Sequence, residues 1–350
     1  METKDMDFID LLVCPGFCVK ENKIIRVNEA AARQFLKPGM ELQPLLVTGQ
    51  EEYSAFQGGC LYLHLSIAGT VQGASVTRMG DTDVFLSDEE TEIRELQVLS
   101  LAAQELRMPL SSVIFSADQL SSMQKTKKAK AQLARLSRGS AQLHRIVCNM
   151  SDALRYLRGG KLQIRSVTSL LEEIFGRASL LAQETGITLR YTGLQEEIFT
   201  LTDSEQLERA VLNLISNALK FTAPGGTVDA VLTRKGKLLR LTVQDSGSGI
   251  AEGILQNIYS RYLRQPSLED SRFGLGLGMV LVRAAARTHG GTVLIDQPGV
   301  GTRVTLTLAI RENTDSLLRS PVLSVDYSGE RDHALLELSD VLPASLYEVP

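Results

Sequence analysis

Long apolar runs are missing from this chain of 350 residues, and none reaches the ~20 residues that a helix needs to cross a bilayer. Direct membrane insertion is therefore not expected. The N-terminus, Met-Glu-Thr-Lys-Asp-Met-Asp, also lacks the basic start of a secretory signal, which points to a cytoplasmic protein. Cysteine is scarce. Cys14, Cys18, Cys60 and Cys148 form no Cys-x-x-Cys pair and have no histidine at zinc-site spacing, so they read as free thiols in a reducing compartment. No excess of positive charge exists. The 37 Lys and Arg stand against 41 Asp and Glu, and a formal net charge of -4 removes the electrostatic case for nucleic-acid binding. Histidine is confined to His64, His144, His289 and His333.

What is present is an ordinary globular composition, 43% hydrophobic and 22% charged, in a chain long enough for two or three domains. Residues 1 to 86 read as a first unit. Phe17-Cys18-Val19 and Lys23-Ile24-Ile25-Arg26-Val27 have strand character. A helical stretch from Asn28 to Leu36 follows, stopped by Lys37-Pro38-Gly39. Cys60 to Ile67 and Gln72 to Thr77 alternate as two further strands. This order resembles a PAS domain, mainly through Ile24-Ile25-Arg26-Val27-Asn28-Glu29-Ala30-Ala31; an unrelated small α+β domain is the alternative.

From Leu96 the period changes. Leu96, Leu99, Ala103, Leu106, Leu110, Val113, Ala117 and Leu120 recur at alternating spacings of three and four. After a Lys-rich break at 125–130, read as a solvated loop, the pattern returns at Leu133, Leu136, Ser140, Leu143, Val147, Met150, Leu154 and Leu157. Two such seams predict an antiparallel helical hairpin over residues 87–160, ended by Gly159-Gly160. One hairpin has a single apolar face to offer, so a homodimer through residues 96–157, as a four-helix bundle, is expected. Residues 161–312 then read as an α/β sandwich. Its elements are helices at 170–186 and 204–221, strands at 188–191, 227–233 and 238–244, a glycine-rich segment with a helix, and a closing hairpin. The tail, 313–350, contains a strand-like Val322-Leu-Ser-Val325 and an amphipathic 334–341, and no role is assigned to it.

Three motifs carry the chemistry. In Asn213-Leu-Ile-Ser-Asn217-Ala-Leu-Lys220, the two asparagines lie four apart on one helix face, where neutral amide oxygens suit Mg²⁺ and Lys220 suits a phosphate. Asp245-Ser-Gly247-Ser-Gly249 closes a strand; its carboxylate suits an adenine amino group, although an acidic turn fits it equally in isolation. Gly274-Leu-Gly276-Leu-Gly278 precedes a helix, whose N-terminal amides can cradle phosphates. Tyr259 and Tyr262 lie between the second and third motifs, where a lid would clamp a nucleotide.

In combination these motifs resemble the N, G1, F and G2 boxes of the histidine kinase ATP-binding domain, the Bergerat (GHKL) fold. His289-Gly290-Gly291 and Gly299-Val-Gly301-Thr302 add to the likeness. The resemblance implies ATP and Mg²⁺ as cofactors, Asn217 as the Mg²⁺ ligand supported by Asn213, Asp245 on adenine, and a pocket shaped by Gly247, Gly249, Gly274 and Gly276. Arg272 stands where the family has a further glycine, which implies either a stiffer lid or an arginine that reaches a phosphate. The hairpin in turn resembles the family's dimerisation and phosphotransfer domain through Gln104-Glu105-Leu106-Arg107-Met108-Pro109-Leu110. There the family pattern is His-Glu-Leu-Arg-Thr-Pro-Leu, with Asn an accepted replacement for Thr. Gln104 replaces the phosphoacceptor, and its amide nitrogen is not nucleophilic. Met108 replaces the residue that positions water for dephosphorylation, whereas the general-base carboxylate, Glu105, is retained.

The expected protein is an α+β, multidomain sensor histidine kinase homologue of the two-component type. It binds ATP·Mg²⁺ without autophosphorylating at the usual position, and acts on a response regulator or a partner kinase. The alternatives are phosphorylation of a partner's histidine in trans or of His144, and a GHKL serine kinase or nucleotide-gated binding module.

Overall fold

The computed structural model describes residues 9–10, 14–87, 89–123, 126–157, 159–250, 277–311 and 332–348. The chain opens with an antiparallel hairpin, β1 (Gly16–Lys20) and β2 (Lys23–Val27). Asn28 ends it and caps helix α1 (Glu29–Arg33). Its Oδ1 accepts from the amides of Gly16 and Ala31, while Nδ2 donates to the carbonyls of Ile9 and Cys14. One buried amide thus satisfies four backbone groups. After β3 (Leu46–Thr48) and α2 (Gln50–Ser54) come β4 (Cys60–Ile67), β5 (Thr70–Met79) and β6 (Thr82–Leu86), giving the order β2-β1-β6-β5-β4. Phe17, Val19, Leu61, Leu63, Leu65, Val76 and Phe85 form its core with Leu36, Leu42 and Phe56.

The sheet continues past the boundary expected near residue 86. β4 pairs antiparallel with β12 (Val293–Asp296), placing Cys60 opposite Ile295, Leu61 opposite Leu294 and Tyr62 opposite Val293. Eleven strands among the described residues therefore make one sheet. The cause lies in β4 itself, since Leu61, Leu63 and Leu65 face the first core while Cys60 and Tyr62 enter the second. A strand apolar in both phases needs cover on both faces.

His64 sits on this strand. It is buried, with Nδ1 bonded to Thr48 Oγ1 at 3.0 Å and Nε2 without a hydrogen-bond partner among the described residues. Burial, with repulsion from Arg287, pushes its pKa from the ordinary 6.5 down to about 4. The unfolded chain therefore takes the proton first as pH falls. Stability is full above about 6.5 and is lost toward about 4, by up to ~1.4 kcal/mol per pH unit. Urea unfolding at pH 7, 5.5 and 4.5 should show wild type losing stability relative to His64→Gln across this window. A constant difference would remove the assignment.

Helices α3 (Glu89–Met123) and α4 (Lys127–Leu157) form the predicted hairpin, and α3 runs through Pro109. The Lys-rich stretch expected as a loop is corrected in part. Lys127 and Lys128 open α4, where Thr126 Oγ1 accepts from the amide of Ala129. The two seam positions differ in cover, apart from Met150, which is buried against the last domain. Leu96, Ala103 and Ala117 on α3, with Ser140, Val147 and Leu154 on α4, are buried within the chain. Leu106, Val113, Leu120, Leu136 and Leu143 are 44–54% exposed. No helix among the described residues is long and apolar enough to cross a membrane.

The last sandwich comprises α5 (Val167–Gln183), α6 (Ser204–Phe221) and α7 (Leu277–Thr288) packed on β8 (Thr188–Thr192), β10 (Thr227–Lys235), β11 (Leu238–Asp245), β12 and β13 (Arg303–Ala309). Asp203 caps α6 at the amide of Gln206. A small ribbon, β7 (Gln163–Ser166) with β9 (Phe199–Thr202), was not anticipated. The hairpin docks on this unit as Val147, Met150 and Leu154 pack against Leu277, Val280, Leu281 and Ala284. The tail also belongs to the core. Helix α8 (His333–Glu337) and a 3-10 turn (Ala344–Tyr347) bury Ala334, Leu336, Leu338 and Leu342 there. Val322–Val325 lies outside the described residues.

Candidate nucleotide site

A cavity of about 1080 Å³ opens between α4, α6, the end of β11, the start of α7 and the tail. Asn213, Asn217, Lys220, Asp245, Gly249 and Gly278 all line it, although they are spread over more than sixty positions of sequence. Gly247 adjoins it by donating its amide to Asp245 Oδ1 at 2.8 Å. Tyr259, Tyr262, Arg272, Gly274 and Gly276 lie outside the described residues. Gln104 and Glu105 are exposed on α3 and are not part of the cavity wall.

Asp245 marks the apolar end, among Ile187, Val243, Ile295 and Val304. It is buried, and its Oδ1 also accepts from the amide of Thr302 at 3.2 Å. Burial raises its pKa, and the hydrogen bonds from Gly247 and Thr302 oppose that rise. Gly301 makes the arrangement possible. At φ +73°, a Cβ there would stand 1.8 Å from the carbonyl oxygen of Asp245. A fixed carboxylate at the end of an apolar slot is chemistry suited to a flat base bearing an amino group.

The other end is a polar stripe on α6. Asn213 is almost wholly buried, and Gly278 approaches so closely that a Cβ would lie 2.7 Å from its Oδ1. That oxygen accepts from Arg145 Nη2 at 3.2 Å, while Nδ2 donates to the carbonyl of Arg209 at 2.8 Å and to Glu337 at 3.4 Å. The Asn213 amide is thus committed to the protein. Asn217 is half-buried on the cavity wall, its Nδ2 turned 3.9 Å from Met279 Sδ. With Lys220 also on the cavity wall, Asn217 carries a neutral amide oxygen, a donor of the kind that suits a phosphate-bound Mg²⁺. The residues present therefore fit a magnesium nucleotide.

Several contributors escaped the sequence reading. Arg209, fully buried on α6, bonds Glu337 Oε1 at 3.1 Å and also meets Asp152 and Asn149 of α4. Arg145 of α4 donates through Nε to Glu337 Oε2 at 3.0 Å and through Nη1 to Asp340 Oδ2 at 2.6 Å. Arg209 did carry a signal, standing four residues before Asn213 on the same helix face. Glu337 and Asp340 carried none. His289 is structural. Its Nε2 accepts from the amide of Asp203, so Nδ1 holds the proton donated to the Ala285 carbonyl at 2.7 Å, and burial lowers its pKa.

Comparison with known proteins gives the same picture. Residues 202–312 match the Histidine kinase-, DNA gyrase B-, and HSP90-like ATPase family. The chain is 28% identical over 278 residues to hybrid signal transduction histidine kinase D of Dictyostelium discoideum, covering 72% of this chain and 18% of the relative. It is 28% identical over 213 residues to sensor histidine kinase CusS of Escherichia coli, covering 59% of this chain and 44% of the relative. The chain thus spans less than half the length of these relatives. The crystal structure of full-length ShkA in complex with AMPPNP shares the fold at a TM-score of 0.50 and 23% identity, covering 62% of this chain and 47% of that one. The mixed α/β architecture accordingly includes a GHKL-type ATPase domain, a family type that implies ATP binding.

Proposed function

We propose, from the premise that this chain belongs to the sensor histidine kinase family, that it is a regulatory member which binds ATP·Mg²⁺ but is silent at the usual phosphoacceptor position. The observation that carries this reading is Gln104, exposed on α3 next to Glu105, in a chain whose cavity is lined by Asn213, Asn217, Lys220 and Asp245. An amide cannot become a phosphoramidate, and Met108, 75% exposed, cannot hold a water for dephosphorylation. His144 is a poor substitute nucleophile, half-buried on α4 with its Nδ1 out of solvent.

In this reading Asp245 holds adenine, with Gly247 and Gly249 beside it. Asn217 holds Mg²⁺, Lys220 faces phosphate, and Asn213 acts through its neighbours. Gly278 belongs to the same wall. Tyr259, Tyr262, Arg272, Gly274 and Gly276 would supply the lid. The domains are a PAS-like sensor at 1–86, whose strand order supports the assignment, a dimerisation hairpin at 87–160 and the ATP-binding domain at 161–312. The exposed half of the hairpin seam supports a homodimer that forms a four-helix bundle. The output is conformational and passes to a response regulator or a partner kinase.

The test is incubation with γ-labelled ATP and Mg²⁺. Wild type should gain no acid-labile, base-stable phosphate, while Gln104→His should become labelled. A label on wild type would overturn the silent-kinase reading.

A further inference from the structure

The tail had no assigned task, yet it ends in the nucleotide cavity. Asp332 caps α8 at the amides of Ala334 and Leu335 and pairs with Arg177 at 2.8 Å, and Tyr347 closes the segment by donating to the Leu335 carbonyl at 2.7 Å. From this anchored base, residues 339–340 cross α4. Arg138 donates to the carbonyls of Ser339 and Asp340 at 3.1 and 3.0 Å, and Gln142 donates to Ser339 at 3.1 Å. These contacts deliver the Asp340 carboxylate to the cavity wall. There its Oδ2 lies 2.6 Å from Arg145 Nη1 and 4.0 Å from Lys220 Nζ.

We propose that Arg145 and Lys220 form an anion subsite for the phosphate end of a nucleoside triphosphate, and that Asp340 is its built-in occupant, displaced when nucleotide binds. The inference rests on the ATP-binding reading above. Two carboxylates meet Arg145 and they are not equivalent. Glu337 is wholly buried and grips Nε, so the guanidinium keeps its position whether or not Asp340 is present. Asp340 has a side chain 35% exposed and holds only Nη1. Water can receive the Asp340 carboxylate when it leaves, whereas Glu337 has no such exit. One cation comes from the bundle helix and the other from the ATP-binding helix, so an anion seated here touches both units. A carboxylate and a phosphate oxygen make the same demand on these donors, charge-assisted N–H bonds at short range.

Asp340→Asn keeps the shape and removes the charge. Calorimetric titration of full-length protein with ATP, ADP and adenosine, each with Mg²⁺, separates the possibilities. The expected result is about tenfold tighter ATP binding in the variant, as when an inhibitory state that dominates the population is released. ADP should gain less and adenosine nothing. Equal gains for all three ligands would make the tail a neutral cover and overturn the anion subsite, as would unchanged or weaker ATP binding beside normal adenosine binding. If neither protein binds any of the three, the ATP-binding reading itself falls and the subsite with it. Thermal unfolding of the variant checks that the fold is kept.

Discussion

Arg209→Ala is expected to destabilise the protein by about 3–5 kcal/mol, the range for removing one partner from a buried ion pair. The side chain is fully buried, and its guanidinium ties together the three segments that surround the nucleotide cavity: Asp152 and Asn149 from α4, Glu337 from the tail, and its own helix α6. Without it, Glu337 is left with Arg145 alone among these cations, in a place where water cannot replace the lost partner. Arg155 is the internal control. It pairs with Asp152 at 3.0 Å and Glu205 at 2.5 Å but is 47% exposed. Arg155→Ala should cost only ~0–1 kcal/mol. Urea midpoints of the two variants give the comparison directly. A loss below ~1 kcal/mol for Arg209→Ala would mean that the cluster is solvated and does not hold the hairpin to the sandwich.

Gly301→Ala should weaken nucleotide binding through the Asp245 end of the cavity. The glycine has φ +73°, so any side chain meets left-handed backbone strain of ~1–2 kcal/mol. The added Cβ would also stand 1.8 Å from the Asp245 carbonyl oxygen and 2.9 Å from Oδ1. A backbone carbonyl cannot rotate away, so β11 must shift and carry Asp245 with it, at a further ~1–3 kcal/mol. Adenosine and ATP should both bind at least ~10-fold more weakly, equivalent to ~1.4 kcal/mol or more. Gly299→Ala separates strain from collision. Its φ is +93°, yet nothing lies within 4 Å of the new Cβ, so it should lose stability through backbone strain alone and keep the pocket. Equal loss of binding in both variants would show that backbone strain dominates.

Local signals took the sequence reading far on some elements. Helix α6 runs from Ser204 to Phe221 as expected, because Asp203 caps it and its apolar period is regular. The asparagine, Asp245 and Gly278 motifs meet at one cavity because the two asparagines share one face of α6, Asp245 ends β11 and Gly278 opens α7. The hairpin seams were visible as well, and the structure adds which half of each the chain covers for itself. What escaped depends on segments far apart in the chain. The Asn213 amide reads as a candidate ligand until Arg145, 68 residues away, and Glu337, 124 residues away, are seen to occupy it. No periodicity records such a meeting, since a buried polar group can be satisfied from any direction. The alternation of β4 showed a strand but not its second neighbour, because Cys60 and Tyr62 look unremarkable until Ile295 and Val293 stand beside them.

The pairing of β4 with β12 also limits modularity. The N-terminal unit and the ATPase unit are not independent parts joined by a linker, because the seam between them is a row of backbone hydrogen bonds. A fragment containing only the ATPase sandwich would expose the β12 edge with its unpaired amides and carbonyls, an invitation to strand addition by another copy. A chimera with a foreign N-terminal unit would need a strand that is apolar in both phases and in register with Val293–Ile295. The practical unit of engineering is therefore the whole sheet, whose strands come from both sides of the hairpin, so a cut anywhere in the hairpin divides it.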